Sequence, residues 1–123
     1  YASFPESNKV DFFIKELNGA TVQGFDKLGM LNSFTVYLTG QNPEVIEKAI
    51  PTYTKLNGDG GMYMKMFLPQ NVKYLIDSFN SSINKLNAEI TKHEENNDAA
   101  YADQARAKIK GFEGLIEKFG AIQ

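Results

Sequence analysis

Apolar residues recur at helical spacing through the second half of the chain. Between positions 72 and 90 they fall at offsets of 0, 3, 4, 7, 11, 14 and 18, at Val72, Leu75, Ile76, Phe79, Ile83, Leu86 and Ile90. This spacing places all of them on one face of an α-helix. We therefore predict an amphipathic helix here, with Pro69 in its first turn, where the missing N–H leaves no helical hydrogen bond unmade.

A final helix is predicted after a polar run. Residues 94–98 interrupt the apolar pattern, and Asp98 suits the N-cap of the following helix. Apolar residues then return at steps of three or four, at Tyr101, Ala105, Ile109, Phe112, Ile116 and Phe119. Gly120 follows, where a left-handed C-cap residue is expected. The two segments predict an antiparallel helical hairpin.

Three segments of the first half also favour helices. Residues 6–17 have one apolar face and end at an Asn-Gly pair. Residues 20–38 include a run with strand propensity, but no second alternating segment is present to pair with it, so we predict a helix. Residues 43–56 form a helix that Pro51 should kink or end early, because its ring collides with the carbonyl of Glu47.

These elements predict an all-α protein: an up-and-down four-helix bundle with an additional C-terminal helix. Connections of two to about eight residues are typical of neighbouring helices in a bundle. We assign residues 1–93 to the helical bundle and residues 94–123 to a C-terminal segment with one helix. The polar run at 94–98 would let that segment move relative to the bundle.

Composition excludes several kinds of chemistry. The chain has 123 residues and no cysteine, which excludes disulfide scaffolds, thiolate zinc sites and cysteine nucleophiles. With 13 Lys+Arg against 15 Asp+Glu the net charge is −2, which argues against nucleic acid as a partner. No stretch approaches the ~20 apolar residues that cross a bilayer.

No catalytic or metal-binding constellation is found. His93 is the only histidine, so neither a two-histidine metal site nor a histidine relay can be formed. We interpret it as a solvated helix-end residue, with a pH-sensitive contact as the alternative. Residues 57–61 resemble the opening of a calcium loop, but Met62 and Leu68 stand where glycine and glutamate are required. We expect a glycine-rich turn there, and no catalytic residue, metal or cofactor.

One segment has an unusual composition, with three methionines and two aromatic residues within residues 62–67. Flexible, polarisable thioethers can fill irregular gaps in a core or grip a partner helix. Of these two interpretations, we favour core filling.

The last helix carries a mildly basic stretch formed by Arg106, Lys108, Lys110 and Lys118. A solvated helix face is the default interpretation, and an electrostatic docking face is the alternative. The chain also begins with Tyr1 and lacks a basic-then-apolar leader. We interpret this start as that of a mature chain whose targeting segment was cleaved, or of a shortened chain.

The last two predicted helices resemble those of the PsbQ-like extrinsic subunits of photosystem II, including relatives in red-lineage algae such as diatoms. Leu75-Ile76-Asp77-x-Phe79 runs on through Ile83 and Leu86. Tyr101 then opens a final helix that closes with Leu115-Ile116 and Phe119-Gly120. The kinked helix over residues 43–56, the Gly-rich turn and the first 40 residues are outside this resemblance.

The resemblance implies a non-enzymatic subunit in the chloroplast thylakoid lumen, peripheral to the thylakoid membrane and not inserted in it. Such a subunit docks on the photosystem II core and on other extrinsic subunits. It supports oxygen evolution by shielding the manganese cluster and retaining calcium and chloride, without binding these ions itself. Because the family docks largely through charge, Arg106, Lys108, Lys110 and Lys118 are the expected contact residues.

A second hypothesis is an exported helical bundle that binds a small apolar ligand, as a sensor or carrier domain does. In that case the aromatic residues would surround an apolar cavity instead of packing tightly. The candidates for its lining are Phe12, Phe13, Phe25, Phe34 and Phe67.

Overall fold

The computed structural model describes residues 6–19, 24–59 and 61–122. Every regular element in these ranges is an α-helix, which confirms the all-α prediction. In chain order the helices are α1 Glu6–Asn18, α2 Gly24–Leu38, α3 Pro43–Glu47, α4 Ile50–Asp59, α5 Gly61–Glu95 and α6 Ala99–Gly120.

The run with strand propensity, residues 34–38, is helical and forms the end of α2. Leu31, Phe34 and Leu38 are fully buried, and they recur at intervals of three and four residues. Burial of this face against the core therefore overrides the local preference. Residues 20–23, which the prediction included in this helix, lie outside the described residues.

Pro51 divides the next predicted helix in two, as expected. The helix α3 ends at Glu47, and α4 begins at Ile50 after a two-residue turn. The amide of Tyr53 donates to the carbonyl of Ala49 at 3.1 Å, which starts the bonding of α4. Pro51 is thus in the first turn of α4, where no N–H is needed.

The long helix α5 begins eight residues before Pro69, so the predicted start was wrong. Gly61 opens it with φ +84°, a backbone conformation that glycine adopts without strain. Pro69 lies inside the helix and has no N–H to donate to the carbonyl of Lys65. Lys65 is exposed and Pro69 is half-buried. Residues 57–59 of the predicted glycine turn belong to α4, so that part of the prediction was wrong, and Gly60 is outside the described residues.

The hairpin of α5 and α6 is confirmed, together with its N-cap. The Asp98 carboxylate accepts a hydrogen bond from the amide of Tyr101 at 3.3 Å. The left-handed residue of the connection is Asn97, at φ 61°. At the far end the prediction for Gly120 was wrong, because α6 includes it and Ala121 caps the helix with φ −75°.

A continuous chain of aromatic rings joins all five of the longer helices. Phe13 of α1 stacks on Phe34 of α2, with centroids 5.0 Å apart. Phe34 lies 6.0 Å from Tyr53 of α4, which meets Phe119 of α6 edge to face at 5.4 Å. Phe119 in turn lies 5.8 Å from Phe79 of α5. The main core is built around these contacts.

The C-terminal half of α6 belongs to this main core, through Phe112, Leu115 and Phe119. A four-helix bundle with an appended fifth helix is therefore not confirmed as the arrangement. The tip of the hairpin has a small core of its own, formed by Ile90, Ala102 and Ala105. The proposed boundary at residue 94 stays a prediction.

The short helix α3 packs closely on α6 at Gly111. A Cβ atom at this position would lie 2.7 Å from Cβ and 3.0 Å from Cγ of Pro43, a ring that cannot rotate away. A Cβ at Gly114 would have no neighbour within 4 Å. The absent side chain at Gly111 therefore permits the contact between α3 and α6.

We expect Gly111→Ala to lower the free energy of unfolding by about 1–3 kcal/mol, because the new methyl group forces α3 away from α6. Gly114→Ala is the matched control in the same helix, and it should raise stability by about 0.5–1 kcal/mol through helix propensity alone. Urea denaturation followed by circular dichroism measures both. Equal effects of the two substitutions would contradict the close packing.

Tyr53 is fully buried, and its hydroxyl lies 2.7 Å from the hydroxyl of Thr35. Burial raises the pKa of Tyr53 well above its ordinary value of 10.0, and the hydrogen bond to Thr35 opposes this only in part. The folded state therefore holds the Tyr53 proton where the unfolded chain releases it. This contribution to stability is complete below pH 10 and declines above it.

We expect Tyr53→Phe to destabilise the protein by about 1–3 kcal/mol near neutral pH, because Thr35 loses its buried partner. The difference from wild type should shrink as the pH rises above about 10, since phenylalanine has no proton to lose. Urea denaturation at pH 7 and above pH 10 measures this. Tyr74→Phe, at an exposed ring, is the control and should show neither effect.

Candidate docking surface

His93 helps to join the two arms of the hairpin. Its Nδ1 lies 3.3 Å from the Asp98 carboxylate, and its ring packs on that of Tyr101 with centroids 3.9 Å apart. The Tyr101 hydroxyl donates to Glu89 at 2.9 Å, and this hydrogen bond raises the pKa of the tyrosine above its ordinary value.

Nowhere in residues 6–19, 24–59 and 61–122 do three acidic or histidine side chains converge as metal ligands would.

Two of the four basic residues predicted for docking have partners within the chain. Arg106 forms ion pairs with Glu94 at 2.7 Å and with Asp103 at 3.1 Å. Lys118 pairs with Glu47 of α3 at 2.5 Å. All of these side chains are about half exposed or more, and such pairs contribute little to stability. They do reduce the positive charge that a partner would meet on α6.

Lys108 and Lys110 are exposed and form no ion pair within the described part of the chain. Residues two positions apart in a helix are turned about 200° from each other, so Lys108 and Lys110 point to different sides of α6. Lys108 faces a cleft that Gln41 and Lys85 also line. The four predicted contact residues are thus spread around α6 and do not form one face.

Exposed large apolar side chains are concentrated elsewhere, along α2 and the first half of α5. Phe25 is 71% exposed, and Met62 and Met66 are 75% and 58% exposed. We call this region the α2–α5 surface. It consists of Phe25, Asn32 and Val36 from α2 and Met62, Tyr63, Met66, Phe67, Gln70 and Tyr74 from α5.

The two helices run parallel along this surface. The rings of Phe25 and Tyr63 are in contact at one end, with centroids 5.0 Å apart. Eleven residues further along each helix, Val36 of α2 and Tyr74 of α5 line the same cleft. That cleft has a volume of about 250 Å³, and the side chains of Asn32, Gln70 and Asn71 also line it. The cleft is therefore a shallow groove between two helices, lined by Val36 and Tyr74 and by several hydrogen-bonding side chains.

The prediction that residues 62–67 fill the core was wrong for most of the segment. Only Met64, which is 2% exposed, belongs to the core. It shares a face with Leu68 and Val72, whereas Met62 and Met66 lie on the opposite side of α5. The spacing of four residues between Met64, Leu68 and Val72 was a signal in the sequence that could have separated the two sets.

The five phenylalanines suggested for a ligand cavity do not surround one. Phe13 and Phe34 are stacked on each other, and Phe12 meets the edge of Phe13 at 6.0 Å. Phe25 and Phe67 are exposed on the α2–α5 surface. The two groups are on different parts of the molecule, so this geometry does not favour the small-ligand hypothesis.

Comparison with protein-family models, with curated proteins and with solved structures gave no match to this chain. Within the described ranges, no helix has both the length and the apolar character that spanning a bilayer requires. The α2–α5 surface is thus the feature of the described residues that points most directly to a function, because monomeric proteins rarely expose large apolar patches without a binding role.

Methionine oxidation tests the placement of this surface. We expect brief treatment of the folded protein with hydrogen peroxide to oxidise Met62 and Met66 rapidly, because both sulfur atoms are on exposed side chains. Met64, between them in sequence, should react only when the protein unfolds. Peptide mass spectrometry measures each rate, and similar rates for all three in the folded protein would contradict the described orientation of α5.

Proposed function

We propose that this protein is a non-catalytic docking subunit that binds a partner protein through the α2–α5 surface. One observation carries the proposal: large apolar side chains are exposed together on two adjacent helices whose opposite faces are tightly packed. Leaving such a patch in water is unfavourable, and a partner that covers it recovers the free energy of apolar burial.

The rest of the described structure agrees with a preformed binding surface. The helices that carry it are fixed from behind by Leu31, Phe34, Leu68 and Val72, all of which are buried. A surface held in this way does not need to become ordered when a partner binds, which lowers the cost of association.

Site-specific photocrosslinking tests the proposal in the cells that make the protein. A benzoylphenylalanine at Gln70, in the centre of the groove, is expected to form a crosslink to one defined protein. The same residue at Glu113, an exposed position of α6, is the control. The crosslink should disappear when Val36→Glu places a charge in the groove. Absence of a crosslink above the control would show that the surface is not a docking site.

A more specific form of the proposal comes from the sequence resemblance. In this form the protein is a PsbQ-like extrinsic subunit in the thylakoid lumen, bound to photosystem II and supporting oxygen evolution. Lys108 and Lys110, the two cations of α6 without an ion pair in the described part of the chain, would then add electrostatic contacts to the complex.

A rebinding experiment tests the assignment to photosystem II. Photosystem II membranes from a diatom or a red alga are stripped of extrinsic proteins, and the chain is added back while bound protein and oxygen evolution are measured. We expect saturable binding that weakens with salt, because exposed ion pairs are screened within about 8–10 Å at physiological salt. The double substitution Lys108→Glu with Lys110→Glu should weaken the binding to the membranes further.

The control for that experiment is the pair Lys15→Glu and Lys48→Glu, which changes the net charge equally at exposed positions outside α6. This pair should retain most of the binding. No binding of the wild type at any ionic strength would exclude the photosystem II assignment, and would leave the α2–α5 docking proposal to the crosslinking test.

A further inference from the structure

A polar cleft lies where the connection between α2 and α3 meets α5 and α6. Its volume is about 320 Å³, at the lower end of the range of small-molecule sites. Ser82, Lys85 and Glu89 line it from α5, where their spacing of three and four residues places them on one side of the helix. Lys108 lines it from α6, and residues 39–42 form a third wall. The cleft shares no residue with the α2–α5 surface.

The wall formed by residues 39–42 is held in place by the fold. The amides of Thr39, Gly40 and Gln41 donate to carbonyls in the last turn of α2, at 3.1–3.3 Å. Pro43, which follows this wall, lies so close to Gly111 of α6 that a Cβ atom there would be 2.7 Å from its ring. The cleft is therefore preformed, and little order has to be gained when a ligand binds.

Several side chains of the cleft can form hydrogen bonds that the fold does not use. Those of Gln41, Asn42 and Ser82 form none within the described ranges, although Asn42 is the N-cap residue of α3. The Glu89 carboxylate accepts one hydrogen bond, from the Tyr101 hydroxyl at 2.9 Å, and a carboxylate can accept several more. Amide, hydroxyl and carboxylate groups together donate and accept, as the hydroxyl groups of a ligand require.

The charged side chains that line the cleft leave one positive charge in excess. Lys85 and Lys108 are exposed and form no ion pair in the described part of the chain, and Glu89 supplies one negative charge. Lys108 also borders a neighbouring cleft with Glu44 and Glu47, of which only Glu47 is held in an ion pair. The cleft therefore suits a ligand with one anionic group better than a dianion such as phosphate, which the carboxylates of Glu89 and Glu44 would repel more strongly.

The cleft also has a small apolar lining. Leu86 is half-buried and Phe112 is 7% exposed, so each presents a limited area to a ligand. A sugar ring has C–H groups on its faces and hydroxyl groups around its edge. It can cover the apolar area while its hydroxyl groups reach the polar walls.

We propose that this cleft binds an acidic sugar, a compact ring with several hydroxyl groups and one carboxylate. The carboxylate of the ligand pairs with Lys85 and Lys108. Its hydroxyl groups form hydrogen bonds with Glu89 and with the amide side chains of Gln41 and Asn42. Because the cleft is separate from the α2–α5 surface, the sugar and a docked partner protein can be bound at the same time.

Titration of the isotope-labelled full chain, followed by its amide NMR signals, tests this site. The probes are glucuronate and galacturonate, with glucose, galactose and acetate as controls that lack either the charge or the hydroxyl groups. Ionic strength and pH are held constant. We expect at least one of the two acids to shift the signals of residues 39–42 saturably, at about millimolar strength for so small a ligand. The neutral sugars and acetate should bind at least about fivefold more weakly.

Substitution of the lysines then locates the contact. Lys85→Gln with Lys108→Gln should reduce the affinity for the acidic sugar to that for its neutral counterpart, because the charge-assisted hydrogen bonds are lost. Lys92→Gln with Lys110→Gln is the matched control, at exposed positions of the same two helices outside the cleft, and should retain the affinity. Lysine and glutamine have similar helix propensities, so both pairs keep the fold. Glu44→Gln should strengthen binding of the acid and leave that of the neutral sugar unchanged.

Every other outcome overturns the inference. Equal affinity for acidic and neutral sugars, or equal losses in the two double variants, would show that Lys85 and Lys108 do not select the ligand. Equal affinity for acetate would reduce the site to a contact between surface cations and any anion. Shifts centred outside residues 39–42, 82–89 and 108–112 would place the ligand elsewhere, and the absence of saturable shifts with both acids would show that the cleft does not bind this class.

Discussion

The fold depends on how Tyr53 is accommodated. Its ring is enclosed by Phe34 and Phe119, and its hydroxyl meets that of Thr35. Phe34 and Thr35 are consecutive, and both reach the same tyrosine. Consecutive side chains can do this in a helix, where they are about 100° apart, but not in a strand, where they point to opposite faces. The buried Tyr53 hydroxyl therefore finds its partner only if α2 is helical at Phe34 and Thr35.

Helical periodicity was enough to predict the hairpin and α1, because each buries one continuous stripe. It did not locate the start of α5, where the proline and the cluster of glycines outweighed the spacing of Met64, Leu68 and Val72. A proline breaks a helix most strongly where the carbonyl it leaves without a partner is buried. Lys65 is exposed and Pro69 is half-buried in the folded protein, and this degree of exposure is a tertiary property that a local pattern does not contain.

The candidate site was harder to predict than the fold for a related reason. Periodicity identifies residues that share a helix face, but the presence of a covering helix depends on the whole topology. Phe25 and Met62 are as apolar as any core residue, yet no described helix packs over them. Charge was also misjudged from sequence, because Lys118 pairs with Glu47, 71 residues earlier in the chain.

The small core at the tip of the hairpin has a further consequence. Beyond Leu86, the buried apolar side chains between α5 and α6 are Ile90, Ala102 and Ala105, all smaller than the rings of the aromatic chain. The other contacts there involve partly or fully exposed side chains, such as those of Arg106 and Glu94. Segments with few buried contacts open at lower free energy than the remainder of a protein, so backbone amides near the tip should exchange their hydrogens before those of the main core. The tip of the hairpin is thus the end of the molecule that opens at lower free energy, and the α2–α5 surface lies in the more stable part.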